Sequence, residues 1–301
     1  CASDVVVAST GVIGQKLDLA PIAGGMDALT AALKSDGSCD AAEAIMTTDT
    51  KVKEIAFSFT AGGKTCHIGG IAKGSGMIHP NMATMLVFVT TDCAITPEML
   101  KSALDADVPD SFNMISIDGD TSTNDMVTVL ANGEAGNDEI TGAGEDYDAF
   151  CAALAETTRA LCRMIAADGE GASKLLECKV SGAADVKTAK TVAKSVICSS
   201  LLKAAMFGAD ANWGRVLCAI GYSGADVDVS KIGVSFESPK GKIEVCRGGS
   251  GVDFSEEKAK EILLEKEIGI LVDLGSGDAE ATAWGCDLTY DYVKINGDYR
   301  T

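Results

Sequence analysis

Short apolar runs, and segments in which apolar residues alternate with polar ones, predict β-strands along most of the chain. The predicted strands cover residues 4–9, 54–60, 65–71, 85–89 and 126–130, a run that follows Lys174, two runs around a turn at 239–241, and closing strands to the C-terminus. Glycines in the turn at 61–64 lead us to expect that the strands on either side of it pair with each other.

Apolar residues spaced by three and four positions predict helices between these strands. The predicted helices cover residues 26–34, 97–107, 146–167, 186–207 and 255–267. The helix at 97–107 has a clear start, because Thr96 is a good N-cap and Pro97 suits the first helical position. Helices and strands mix without strict β-α-β alternation, which predicts an α+β or layered α/β fold.

Composition indicates a soluble globular protein of one large domain or two smaller ones. The chain has 301 residues, of which 47% are apolar and 23% are charged. Its 25 basic and 44 acidic residues give a net charge of −19, and such a surface repels phosphate backbones and anionic lipids. We therefore predict no nucleic-acid partner and, since apolar runs are shorter than the roughly 18 residues of a span, no membrane partner.

Cysteine and histidine offer little ready-made chemistry. Eleven cysteines are scattered along the chain without a Cys-x-x-Cys pair, which favours free thiols in a reducing cytosol over disulfides or a zinc site, so we predict no metal. Cys66 and His67 are adjacent, but neighbours on a strand point to opposite faces and cannot easily pair. His79 is the other histidine of the chain.

The segment from residue 73 to residue 91 could carry a nucleophile. A glycine-rich loop ends in Ala83-Thr84, and Thr84 precedes an apolar strand. Threonine needs a base, and cleavage between Ala83 and Thr84 would let the new α-amino group of Thr84 act as one. From the residues alone, a strand-capping threonine with no chemical role is the favoured explanation of the pattern.

Residues 73–86 closely resemble the self-cleavage segment of the ornithine acetyltransferase family, the glutamate N-acetyltransferases of arginine biosynthesis. Further segments that are similar to this family, in the family's order, are residues 9–14, 44–50, 118–125, 169–174, 212–215 and 296–301. Met126 and Ala211 depart from the expected Thr and Pro. Family members also carry a segment before the Ser-Thr-Gly turn, and we expect that this chain lacks it.

The resemblance implies a layered αββα core of the N-terminal-nucleophile type, with a smaller C-terminal α+β domain. We expect the core over residues 1–174, including the cleavage site Ala83-Thr84, and the second domain over residues 175–301. The family forms α and β chains from one precursor, which implies an α2β2 assembly. A pathway of small amino acids implies a cytoplasmic location.

The resemblance also implies a reaction. Thr84 would attack the carbonyl of Ala83, and hydrolysis of the resulting ester would free its α-amino group as a base. Thr84 Oγ would then take the acetyl group from N2-acetylornithine and pass it to glutamate in a ping-pong reaction. No metal or organic cofactor is implied, and the sequence leaves open whether acetyl-CoA is also a donor.

The family's site residues map onto matching positions of this chain. Thr10 and Gly11 would form the oxyanion hole. Lys73 would bind the substrate carboxylate and Glu170 its ammonium group. The substrate-binding residues that complete the pocket by similarity are Thr47, Thr84, Asn296 and Thr301.

Two alternatives stay open beside this reading. One is a self-processed aminopeptidase or amidase with the same nucleophile, against which the segments of Lys73 and Glu170 and the tail at 296–301 argue. The other is a truncated, non-catalytic relative that neither cleaves itself nor turns over substrate.

Overall fold

The structure is a computed structural model that describes residues 1–2, 5–79 and 85–298. The predicted cleavage residues Ala83 and Thr84 and the predicted pocket residue Thr301 lie outside the described residues.

Helices and strands are distributed over the whole described chain. The helices are α1 Ala20–Ala31, α2 Ser38–Ala44, α3 Pro97–Asp107, α4 Glu145–Ala167, α5 Val186–Cys198, α6 Ser200–Phe207, α7 Trp213–Gly221, α8 Glu256–Leu263 and α9 Tyr290–Asp298. The strands are β1 Lys53–Ala61, β2 Lys64–Lys73, β3 Leu86–Thr91, β4 Ile115–Ser116, β5 Met126–Ala131, β6 Leu175–Ala183, β7 Gly233–Ser238, β8 Gly241–Arg247, β9 Ser250–Gly251, β10 Glu267–Asp273 and β11 Ala279–Cys286.

The first sheet has the strand order β1-β2-β3-β5. The β1–β2 and β2–β3 pairs are antiparallel, and β5 runs parallel to β3. Lys73 and Leu86 are directly opposite each other in the β2–β3 ladder. The last residue of β2 and the first of β3 therefore meet at one end of this sheet.

The second sheet is larger and has the order β4-β11-β6-β10-β7-β8-β9. Its centre is mixed, because β6 and β10 are parallel while β11 and β7 run antiparallel to them. One face of β6 is apolar and buried through Leu176, Cys178 and Val180. The side chains of Glu177 and Lys179 alternate with these residues and point to the other face, as the period of a strand requires.

Helix α4 covers one face of the first sheet, and helix α5 covers one face of the second sheet. Helix α4 packs on β1 and β2, where Phe150 meets Phe59 edge to face with ring centroids 6.0 Å apart. Helix α5 packs on β6 and β11. Its Lys194 ammonium donates to the carbonyls of Asn113 and Ile115, both at 2.6 Å, which ties the helix to the chain entering β4.

The class of the fold is α+β, as predicted. Helix α3 has the predicted bounds, and the Thr96 hydroxyl accepts a hydrogen bond from the Met99 amide. The predicted strand pair at 54–60 and 65–71 is confirmed as β1 and β2. The division into domains at residue 174 stays a prediction.

Three predicted elements were wrong. Residues 5–9 form no strand and are mostly exposed, because within the described chain they pair with no other strand. The helix predicted at 186–207 is two helices, since Ser199 leaves helical geometry and caps α6 by accepting from the Leu202 amide. The chain does not close with strands alone, because α9 follows β11.

No helix in the described ranges combines the length and the apolar character that a membrane span requires.

Candidate active site

Lys73 ends strand β2 and is buried beside a polar cavity. Burial lowers the pKa of its ammonium group, and the nearby carboxylates of Asp49, Asp125 and Glu170 act against this shift. In the described part of the chain, no carboxylate forms an ion pair with Lys73.

Glu170 lies in the loop between α4 and β6, is buried, and lines the same cavity as Lys73. Its amide donates to the carbonyl of Ser75 at 2.7 Å, which joins this loop to the glycine-rich loop after Lys73. Its carboxylate accepts a hydrogen bond from the Asn296 side-chain amide at 2.8 Å. The carboxylate also lies directly over Gly76, where a Cβ would be 2.5 Å from both of its oxygens.

Helix α9 closes one side of the cavity with Tyr292 and Asn296. It can approach so closely because Gly171 has a φ of +67° and no side chain, and a Cβ there would be 2.5 Å from the Tyr292 nitrogen. The Thr289 hydroxyl donates to the Gly171 carbonyl at 2.6 Å. The position of Asn296 thus depends on a glycine next to Glu170.

Asp118 organises the loop that leads to the predicted cleavage segment. Its carboxylate accepts from the amides of Met77 and Ile78 at 2.7 and 3.0 Å. The Tyr292 hydroxyl lies 3.4 Å from the same carboxylate. Burial and the carboxylates of Asp118, Asp120 and Glu170 raise the pKa of Tyr292, so this hydroxyl is a neutral donor near neutral pH.

The chain is anchored on both sides of residues 80–84. Before them, Ile78 is fully buried, and its carbonyl accepts from the Ile117 amide at 2.7 Å. After them, Met85 is buried, its amide donates to the Asp125 carboxylate, and its carbonyl accepts from the Met126 amide. Met85, which follows Thr84 in the chain, is therefore held in the protein interior. It directly precedes Leu86, which pairs with Lys73 at the end of β2.

Six of the predicted site residues line one cavity of about 540 Å³. They are Thr10, Gly11, Thr47, Lys73, Glu170 and Asn296. The structure thus brings together positions that are up to 286 residues apart in the chain. The individual roles of these residues, and those of Ala83, Thr84 and Thr301, stay predictions.

Sequence reasoning did not place several lining residues in the site. Asp118 and Asp120 belong to a polar run that matched the family, and their signal was four acidic or amide side chains within eight residues. Nothing in the sequence marks Gly76 or Tyr292 as a site residue. Their roles follow from residues that are near in space and distant in the chain, such as Glu170 beside Gly76.

The predicted separation of Cys66 and His67 agrees with the structure. Cys66 is buried near the Asn137 side chain, whereas His67 is exposed and pairs with Asp92 at 2.7 Å. The cysteines from Cys39 to Cys286, all within the described ranges, form no disulfide. No cluster of three or more metal-binding side chains occurs among the described residues.

An α+β fold in which a buried lysine and a buried glutamate line one cavity has the charges that an enzyme for a small molecule with a carboxylate and an ammonium group needs. A model of the ArgJ family matches residues 1–301. The chain therefore belongs to the ArgJ family, and the family predicted from the motifs is confirmed.

Individual relatives agree with this assignment. The arginine biosynthesis bifunctional protein ArgJ of Symbiobacterium thermophilum is 55% identical over 295 residues, which cover 98% of this chain and 72% of that protein. ArgJ 1 of Clostridium acetobutylicum is 53% identical over 298 residues, covering 99% and 73%. The crystal structure of ArgJ from Bacillus halodurans superimposes with a TM-score of 0.69 at 47% identity, covering 72% of this chain and 100% of that one.

Proposed function

We propose that this protein transfers the acetyl group of N-acetylornithine to glutamate through an acetyl ester on Thr84. Membership of the ArgJ family supports the role of an acetyltransferase in arginine biosynthesis. The observation that carries the proposal is the placement of Lys73 and Glu170 in one cavity with the Thr10-Gly11 turn. A substrate with a carboxylate and an ammonium group fits this pair of charges.

The reaction begins with processing of the chain. Thr84 Oγ attacks the carbonyl carbon of Ala83, and the peptide C–N bond breaks as an ester forms. Water hydrolyses this ester, which leaves one chain ending at Ala83 and one beginning with the free amine of Thr84. An α-amine has a pKa near 8, so it can accept the hydroxyl proton close to neutral pH.

Transfer then takes two similar steps. Thr84 Oγ attacks the acetyl carbonyl of N-acetylornithine, the amide bond breaks, and ornithine leaves with a proton from the Thr84 ammonium. The amine of glutamate next attacks the acetyl ester and leaves as N-acetylglutamate. In both tetrahedral intermediates the oxyanion accepts hydrogen bonds from the Thr10 hydroxyl and the Gly11 amide, and losing one such donor typically costs about 10²–10³ in rate.

The remaining parts of the proposal concern partners and location. The two chains stay together as an α2β2 assembly in the cytoplasm, and the reaction uses no metal or organic cofactor. The relatives are named bifunctional proteins, which supports acetyl-CoA as a second acetyl donor to the same threonine.

Mass spectrometry and N-terminal sequencing of the purified protein test the first step. We expect chains of residues 1–83 and 84–301, and an uncut chain in Thr84→Ala. Thr90→Ala is the matched control, because Thr90 is an exposed threonine in strand β3 and lies outside the cavity. A single uncut chain with Thr84 present would overturn the mechanism and favour a non-catalytic relative.

A transfer assay separates the acetyltransferase from a hydrolase. N-acetylornithine and labelled glutamate are supplied together, and ornithine, acetate and N-acetylglutamate are measured. We expect one N-acetylglutamate for each ornithine released. Equal amounts of ornithine and acetate, independent of glutamate, would instead identify the aminopeptidase or amidase alternative.

A further inference from the structure

Lys53, at the start of β1, is buried between two buried carboxylates. Its ammonium lies 2.6 Å from Asp49 Oδ1 and 2.6 Å from Asp168 Oδ2, and 3.3 Å from the Lys51 carbonyl. All three side chains are at most 3% exposed. We call Asp49, Lys53 and Asp168 the buried ion cluster. Such clusters contribute little net stability, because desolvation offsets much of the attraction between the charges.

The carboxylate of Asp49 also holds two loops of the cavity. Its Oδ1 accepts from the Gly74 amide at 2.7 Å, directly after Lys73. Its Oδ2 accepts from the Thr47 amide at 3.2 Å. These loops touch again where the hydroxyls of Thr48 and Ser75 are 2.5 Å apart. One carboxylate thus holds the backbone directly after Lys73 and the backbone at Thr47, another residue that lines the cavity.

The carboxylate of Asp168 holds the same loop from the opposite side. Its Oδ2 accepts from the amides of Thr50 and Lys51 at 3.0 and 3.2 Å, and its Oδ1 accepts from the Thr50 hydroxyl. Asp168 precedes Glu170 by two residues. The loop that carries Glu170 is therefore bonded through Lys53 and Asp49 to the loop that begins directly after Lys73.

We propose that Asp49, Lys53 and Asp168 are positioning residues that set the distance between Lys73 and Glu170 to match the carboxylate and ammonium groups of the substrate. None of the three lines the cavity, so they act through the residues that do. A misplacement of about 1 Å in a catalytic site can cost about 10²-fold in rate, which gives such a cluster a function beyond stability. This inference rests on the function proposed above.

Asp49 has a second effect that makes the proposal measurable. Among the charges facing Lys73, which are Asp49, Lys53, Asp125 and Glu170, the Asp49 carboxylate does most to raise the pKa of Lys73 against burial. Neutralising Asp49 therefore lowers the pKa of Lys73. The ammonium is charged only below that pKa, so the alkaline loss of substrate binding moves to lower pH.

The test is the pH profile of kcat/KM for Asp49→Asn. We expect kcat/KM to fall about tenfold near pH 8, mainly through KM, and its alkaline limb to move down by about one pH unit. Asp107→Asn is the matched control, because Asp107 accepts from Ser111 and Thr158 at the end of α3 and lies outside the cavity. It should lose stability without moving the alkaline limb. An unmoved limb and an unchanged KM in folded Asp49→Asn would overturn the proposal.

Amide hydrogen exchange provides a readout that needs no activity and no variant. In the wild-type protein, the amides of Thr47, Thr50 and Gly74 should be protected nearly as strongly as those of β2. Exchange at the rate of an exposed loop would overturn the proposal even if Asp49→Asn does not fold. A wild-type protein that transfers no acetyl group would overturn the proposed function, and protected amides would then still support the buried ion cluster as an organiser of the cavity.

Discussion

At the scale of single residues, Gly76 shows how the site depends on an absent side chain. The Glu170 carboxylate occupies the space that a Cβ of residue 76 would need. Residue 76 has no positive φ, so alanine can adopt its backbone conformation. An alanine at position 76 therefore displaces the Glu170 carboxylate without straining the backbone, so it tests whether the position of this carboxylate matters.

We predict that Gly76→Ala displaces the Glu170 carboxylate and lowers kcat/KM by about 10²-fold, because a shift of about 1 Å suffices for such a loss. Steady-state kinetics and thermal unfolding measure the effect. Gly142→Ala is the control, since a Cβ there meets nothing within 4 Å. If Gly76→Ala keeps the wild-type kcat/KM, the observed position of the Glu170 carboxylate is not needed for catalysis.

At the scale of elements, the site depends on how helix α9 meets the loop after α4. Helix α9 has no buried residues of its own, so little apolar packing holds it in place. Its contacts are the close approach to Gly171, the hydrogen bonds of Thr289, Tyr292 and Asn296, and an edge-to-face contact between Tyr290 and Phe207. A small change at Gly171 can therefore move a whole wall of the cavity.

We predict that Gly171→Ala pushes α9 away, breaks the bond from Asn296 to Glu170 and raises KM at least about tenfold. Gly224→Ala is the matched control. Gly224 also has a positive φ, of +80°, but a Cβ there meets nothing within 4 Å. Both variants should lose about 1 kcal/mol of unfolding free energy through backbone strain. Equal KM values in the two variants would contradict the prediction.

At the scale of the whole molecule, stability is unevenly distributed. Nine residues of helix α4 are buried, whereas no residue of helix α1 is buried. The apolar side chains of α1, such as Ile22, Met26 and Leu29, are exposed. Segments with few buried contacts open at a low free-energy cost, and core segments open only with the global unfolding.

We predict that amides of α1 exchange with solvent at an opening free energy near zero, while those of α4 exchange near the global free energy of unfolding. Native-state hydrogen exchange with mass spectrometry measures both in one sample, and α4 serves as the internal control. Protection of α1 at the level of α4 would show that its exposed apolar face is covered in solution.

Much of the local structure could be predicted from the sequence because it depends on near neighbours in the chain. Thr96-Pro97 starts α3 at the predicted residue, and alternation identifies β1 and β2. The break at Ser199 was missed, because a serine inside an amphipathic pattern reads equally well as a helix position or as a cap. The strand expected at residues 4–9 is absent over residues 5–9, because an apolar run such as Val5-Val6-Val7-Ala8 forms a strand only where a partner strand exists.

The sequence by itself determined the class of the fold and the motifs that identify the family, since both depend on residue types in a fixed order. Only the tertiary structure decided that Lys73, Glu170 and Asn296 share a cavity, that Gly76 makes room for a carboxylate, and that Lys53 joins two loops. The bond from Asn296 to Glu170 joins residues 126 positions apart, and the pair of Lys53 and Asp168 joins residues 115 positions apart. They arise from contacts through space, which no local pattern of the chain records.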